Sequence, residues 1–161
     1  SLPAEGSAPP GVRAALEKTL PLRDVDVAAY DAVFLPGGHG TMYDLPESEE
    51  LAHLLAFFYE TGRIIAAVCY GPAGLIGARL SDGSPLVRGK RLTAFTNEEE
   101  KETGLDRFMP FLLEDRLRSL GAAFVPAPKW SDHVERDGFL ITGQNPQSSK
   151  SAAQAIIEAL S

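Results

Sequence analysis

Residues 64–72, Ile-Ile-Ala-Ala-Val-Cys-Tyr-Gly-Pro, place the chain's only cysteine, Cys69, directly after a β-branched, apolar run and directly before a Gly-Pro pair. A buried parallel strand that breaks into a helix at a thiol forms a nucleophile elbow, a turn tight enough to require small neighbours, here Ala67 and Gly71. The turn lifts the side chain out of the sheet beside a helix N-terminus, and that placement favours thiolate over thiol. The alternative is a packed cysteine acting as a small hydrophobe. The ordered context of strand, Cys-x-Gly-Pro and then the helical pattern Ala73, Leu75, Ile76, Ala78 favours the nucleophile. Such a group adds to an aldehyde or attacks a carbonyl, giving a hemithioacetal or a thioester.

A second loop bears on the same chemistry. Pro36-Gly37-Gly38-His39-Gly40 follows an apolar run at residues 31–35, and its glycines let the backbone approach a ligand closely. The backbone N–H of Gly38, with that of Tyr70, is the natural oxyanion hole, since an elbow supplies one donor from the residue after the nucleophile and a facing loop supplies the other. The Gln144-Asn145-Pro146 loop also follows a strand. Either it borders the pocket, with Asn145 at the substrate, or it is a helix N-cap turn around Ser148 and Ser149. Neither Gly-x-x-x-x-Gly-Lys-Ser/Thr nor Gly-x-Gly-x-x-Gly occurs, so nucleotide binding has little support.

The elements that must position these residues follow from periodicity. Residues 31–35 and 64–68 read as buried strands, and residues 44–60, with Leu51, Leu54, Leu55 and Phe58 in phase, as the amphipathic helix between them. A strand, helix, strand unit implies a parallel sheet with active residues at the strands' C-terminal ends. Both Gly37-Gly38 and Cys69 fall at such ends. Further strands are expected at 91–95 and 123–125, a helix at 110–120 closed by Gly121, and a hairpin of 133–135 with 139–142 around Asp137-Gly138 that feeds a last helix. Residues 1–11 are expected as an irregular arm, with a short helix over 12–19.

Composition narrows the function classes. The 161 residues, 44% hydrophobic, suffice for one domain with a sizeable core, and no 18-residue apolar run suggests a membrane span. A net charge of −7 without a Lys/Arg cluster argues against a nucleic-acid surface and favours a small-molecule or protein substrate. One cysteine excludes an internal disulfide framework and suits a reducing cytoplasm. The first residues, Ser-Leu-Pro-Ala-Glu-Gly, lack the basic and then apolar pattern of a signal peptide.

Five segments resemble the ThiJ/PfpI superfamily of class I glutamine amidotransferase-like proteins: residues 30–41 (YDAVFLPGGHGT), 67–74 (AVCYGPAG), 93–100 (TAFTNEEE), 110–117 (PFLLEDRL) and 141–149 (ITGQNPQSS). Their order and spacing span nearly the whole chain, and the branch they resemble is the heat-shock glyoxalase and chaperone group. The resemblance implies an α/β, three-layer flavodoxin-like sandwich with a mostly parallel sheet. It implies conversion of methylglyoxal to D-lactate without glutathione or cofactor, no metal, and a homodimer. A redox-sensing or chaperone-like stress protein is the first alternative, and an amidase or peptidase the second.

Two departures from that branch stand out. Its residue after the nucleophile is typically histidine, completing a Cys-His-Glu set, whereas here it is Tyr70, and a phenol titrating near ~10 cannot replace imidazole as a base near neutral pH. Glu100 matches the acidic third member, against the reading of Glu98-Glu99-Glu100 as a solvated charge run. His39 is a candidate substitute base, against a loop-surface histidine; His53 and His133 read as structural. Relatives also begin with a strand, helix and strand before the segment at Tyr30. No such unit is visible before residue 31, so a single domain over 1–161 without it, or a fragment, is expected, and the glutamate by which members with a non-basic residue after the nucleophile support the cysteine, from the first strand-to-helix loop, has no counterpart to name.

Overall fold

A computed structural model of the chain describes residues 10–161. Helix α1 (Pro10–Leu16) precedes strand β1 (Ala32–Leu35), helices α2 (Thr41–Asp44) and α3 (Glu49–Glu60), and strand β2 (Ile64–Val68). Then come β3 (Arg91–Leu92), α4 (Asn97–Thr103), α5 (Leu113–Ser119), β4 (Ala123–Phe124), β5 (Val134–Asp137), β6 (Leu140–Gly143) and α6 (Ser149–Leu160).

The main sheet has the order β1-β2-β6-β5 and is parallel except for β5, which returns antiparallel to β6 through a turn with Gly138 at φ 60°. β3 and β4 form a separate parallel pair. Because α3 carries the chain back over the sheet, β1 and β2 run in the same direction. Ile65 and Ala67 of β2 pack in the large core that includes Leu51, Leu54, Leu55 and Phe58 of α3, while Ile64 and Ala66 join Ile141 against Ala155, Ile156 and Ala159 of α6. Every β2 residue is buried, which is why the strand reads as an uninterrupted apolar run. The result is the expected α/β sandwich, a mostly parallel sheet between helical layers.

Several boundaries differ from the sequence expectation. The helix expected over 44–60 breaks at Pro46 into α2, a 3-10 turn (Leu45–Glu47) and α3, because proline has no N–H to continue a helix and Ser48 caps α3 by accepting from the Leu51 N–H at 3.2 Å. The strand expected over 91–95 stops at Leu92. Beyond it the Thr93 N–H donates to Thr142 Oγ1 at 2.9 Å and the Phe95 N–H to the Cys69 carbonyl at 3.0 Å, so the chain crosses the ends of β2 and β6 without extending a ladder. The helix expected from 110 begins only at Leu113, and the one expected over 12–19 occupies Pro10–Leu16, so Pro10 and Gly11 are helical where an arm was expected. The rest of that arm lies outside the described residues.

The helix expected after Cys69 is a single 3-10 turn, Gly71–Leu75. Glycine is a poor helix former, and here it is demanded by close approach: a Cβ on Gly71 would lie 2.1 Å from the Leu35 carbonyl oxygen, and one on Gly74 2.9 Å from the Leu51 side chain. The turn is therefore held tight against the end of β1. That contact brings the two loops of the site together.

Candidate active site

Cys69 follows the last residue of β2 with φ 62°, a left-handed conformation that costs a non-glycine residue about 1–3 kcal/mol and persists only where the surroundings impose it. Two contacts impose it here. The Cys69 N–H donates to the Gly143 carbonyl at 2.9 Å, and its own carbonyl accepts from Phe95, so both ends of the peptide are tied to neighbouring segments. The expected strain at the elbow is present.

The Pro36-Gly37-Gly38 loop lies directly against the thiol. A Cβ on Gly37 would stand 2.7 Å from Cys69 Cβ and 3.2 Å from Sγ, and Gly38 takes φ 116°, so both positions need glycine for different reasons. Thr41, which sequence reasoning passed over, pins the loop: its hydroxyl reaches the Gly38 carbonyl at 2.8 Å and the Tyr70 carbonyl at 3.2 Å. The backbone N–H groups of Gly38 and Tyr70, the expected oxyanion pair, act on the thiol by lowering its pKa.

The electrostatics of the thiol differ from expectation. Burial pushes the Cys69 pKa up to about 12, outweighing the two N–H groups that lower it, and the Glu99 and Glu100 carboxylates add to the rise. A one-turn 3-10 segment supplies little helix dipole against this. The resting group is a thiol. Alkylation of Cys69 by iodoacetamide is therefore expected to be slow at pH 7 and to rise steadily to pH 10 without a plateau, since only the thiolate reacts. A rate that levels off below pH 8.5 would contradict this.

Beside the thiol, Tyr70 is a hub. Its hydroxyl donates to Glu100 Oε2 in a short hydrogen bond and lies 2.8 Å from His39 Nε2. Its ring sits between His39, with centroids 4.4 Å apart, and Phe95 at 4.6 Å, and Phe95 in turn meets Trp130 edge-on at 5.6 Å. Burial, then the hydrogen bond to Glu100, push the phenol above its ordinary pKa, so it keeps its proton. Glu100 is 5% exposed, with its Oε1 3.6 Å from His39 Nε2.

Burial of Glu99 and Glu100 overturns the solvated-run reading, although Glu98 is exposed. Glu99, wholly buried, accepts five hydrogen bonds: from the Thr96 N–H and hydroxyl on Oε2, and from the Trp130 N–H, Gln144 and Asn145 on Oε1. The capping box Thr96-x-x-Glu99, visible in the sequence, was the signal for this residue. Asn145 belongs to the same network and not to a pocket edge. Its amide donates to Glu99 and to the Ser131 carbonyl, while Oδ1 accepts from the Ser148 N–H and hydroxyl, which is the N-cap arrangement. The structure thus brings Cys69, Tyr70, Gly37, Gly38, His39 and Glu100 together and sets Asn145 behind them. His53 is exposed on α3, and His133 is held near the Val125 carbonyl at 3.1 Å.

Known proteins share this arrangement of elements. A glutathione-independent glyoxalase of Saccharomyces cerevisiae is 36% identical over 86% of this chain and 61% of its own length. The rapid encystment protein of Francisella tularensis is 37% identical, with TM-score 0.92 over 95% of this chain and 68% of its own. The crystal structure of glyoxalase III from Candida albicans is 31% identical, with TM-score 0.81 over 86% of this chain and 60% of its own. The chain spans roughly three-fifths of the length of the yeast relatives it matches. Residues 9–159 match the DJ-1/PfpI family, and the chain belongs to that family.

Proposed function

We propose that this chain is a cysteine-dependent enzyme of small 2-oxoaldehydes that converts methylglyoxal to D-lactate without glutathione or another cofactor. The observation that carries the reading is Cys69 at a strained elbow, with the glycine loop packed directly against its sulfur. Cys69 is 7% exposed, so only a small, unhindered carbonyl reaches it. Relatives named glutathione-independent glyoxalase, 36% and 37% identical, support the substrate class. A cytoplasmic homodimer is part of the same proposal.

The chemistry balances within the substrate. The Cys69 sulfur adds to the aldehyde carbon, the thiol proton leaves and the carbonyl oxygen becomes the hemithioacetal hydroxyl, stabilised as it develops charge by the Gly38 and Tyr70 N–H groups. A base then takes the proton from that carbon. Its return to the neighbouring carbon, with the hemithioacetal hydroxyl proton passing to the ketone oxygen, converts the ketone to an alcohol and the hemithioacetal to a thioester. Water releases lactate and restores the thiol, with no external oxidant or reductant. The redox-sensor alternative requires an accessible thiolate, and the burial that raises the Cys69 pKa works against it.

The test is incubation of the protein with methylglyoxal in glutathione-free buffer, with lactate enantiomers resolved. D-lactate is expected in proportion to the methylglyoxal consumed. Consumption without lactate would reduce the reaction to adduct formation and remove the enzymatic reading.

A further inference from the structure

The proposed reaction needs a proton acceptor, and the residue after the nucleophile is a phenol that keeps its proton. The hydrogen bonds around Tyr70 identify where the base went. Glu100 is a carboxylate and accepts only, so the single Tyr70 O–H is committed to its Oε2. The Tyr70 oxygen can then only accept from His39 Nε2, 2.8 Å away, which places the ring proton on Nε2 and leaves Nδ1 with the lone pair. His39 belongs to the same loop as Gly37, where a Cβ would stand 3.2 Å from the Cys69 sulfur.

Charge points the same way. The ionisable groups in contact with the imidazole are Tyr70 and Glu100. Among the described residues no lysine or arginine forms an ion pair with Glu99 or Glu100. The five donors around Glu99 spread its charge. Among the described residues the partners of the Glu100 carboxylate are, by contrast, the Tyr70 and Thr103 hydroxyls and the imidazole, with Thr103 at 3.2 Å. An imidazolium at His39 would be the one cation matched to that buried carboxylate.

We propose that His39 is the base of this site, acting through Nδ1, and that Tyr70 is a positioning residue relaying the Glu100 carboxylate to its Nε2–H. This rests on the carbonyl-enzyme reading for its substrate. The hydrogen-bond chain itself exists without substrate. When Nδ1 takes the carbon-bound proton of the hemithioacetal, the ring becomes a cation whose Nε2–H points at an oxygen already polarised by Glu100, and the same proton then returns to the neighbouring carbon. An imidazole 31 positions upstream of Tyr70, with a phenol between it and the glutamate, thereby serves as the base.

Two measurements test this. In ¹⁵N-labelled protein the three histidines are separated by their ring shifts, and His39→Gln assigns the signal. The expected result is His39 solely as the Nε2–H tautomer at alkaline pH, relaxing to a mixture in Tyr70→Phe. An Nδ1–H ring, or a tautomer ratio unmoved by Tyr70→Phe, would overturn the relay whatever the protein's activity. In turnover of methylglyoxal, His39→Gln is expected to lower kcat ~10²–10⁴-fold with KM nearly unchanged. Tyr70→Phe and Glu100→Gln should each lower it less, and the double variant no further than the worse single one, as members of one chain do. An active wild type whose His39→Gln variant keeps its kcat would overturn the base assignment and leave the carbonyl-enzyme reading intact. A wild type inactive on methylglyoxal but with the expected tautomers would remove the substrate and leave the relay standing.

Discussion

Cys69→Ser is expected to abolish lactate formation, lowering kcat by at least ~10³-fold, while leaving the fold in place. The hydroxyl is smaller than the thiol, and the bonds that hold the elbow, from the Cys69 N–H to the Gly143 carbonyl and from the Phe95 N–H to the Cys69 carbonyl, do not involve the side chain. What it loses is reactivity. An alcohol is far harder to deprotonate than a thiol, even one whose pKa burial has pushed up to about 12, and its conjugate base is a poorer leaving group from the acyl stage. Comparing lactate production and thermal unfolding in the two proteins separates chemistry from stability. Turnover in Cys69→Ser within tenfold of wild type would remove Cys69 from the reaction.

The raised thiol pKa also shapes how the site must work. With a self-ionised nucleophile, a base would matter only after addition. With a resting thiol, the proton must leave as the sulfur attacks, so a base near Cys69 is needed at both ends of the sequence. That gives the loop carrying Gly38 and His39 two tasks. In the proposed mechanism its backbone holds the developing oxyanion and its imidazole handles the proton.

The strands and the elbow were legible in the sequence because they depend on local rules. An apolar run at 64–68 flanked by Cys69 and Gly71 has few other solutions, and the glycines at 37 and 38 announced a close approach that the 2.7 Å and 2.1 Å Cβ overlaps at Gly37 and Gly71 explain. What local rules could not supply was the company each side chain keeps. The thiolate expectation followed from a helix dipole, but Pro72 and two glycines shortened the helix to one turn, and burial took over. Glu99 and Glu100 looked like a solvated run because an acidic triplet carries no sign of burial, and only the register of α4 turns two of the three inward. Tyr70 looked like a loss of function at one position. Its partner His39 lies across a loop contact that Thr41 and Gly71 create, and no periodicity records that.

Glu99→Ala is expected to destabilise the protein by about 3–5 kcal/mol, a large part of the ~5–15 kcal/mol that holds a domain of this size together. The carboxylate is inaccessible to solvent, and its removal strands donors from four residues on different segments: the Thr96 N–H and hydroxyl at the start of α4, the Trp130 N–H, and the Gln144 and Asn145 amides beyond β6. Each donor left without a partner in a dry interior costs ~1–3 kcal/mol, and water cannot reach them all without opening the loop that Trp130, at φ 62°, anchors. Glu99→Gln isolates the cause. It preserves volume but turns an NH₂ toward donors on one side, so a loss of about half as much is expected if acceptor capacity is what matters, and almost none if the residue only fills space. Urea unfolding of the three proteins decides between these. A loss below ~1 kcal/mol in Glu99→Ala would mean that the network is incidental to the fold and that the site is held by the glycine contacts alone.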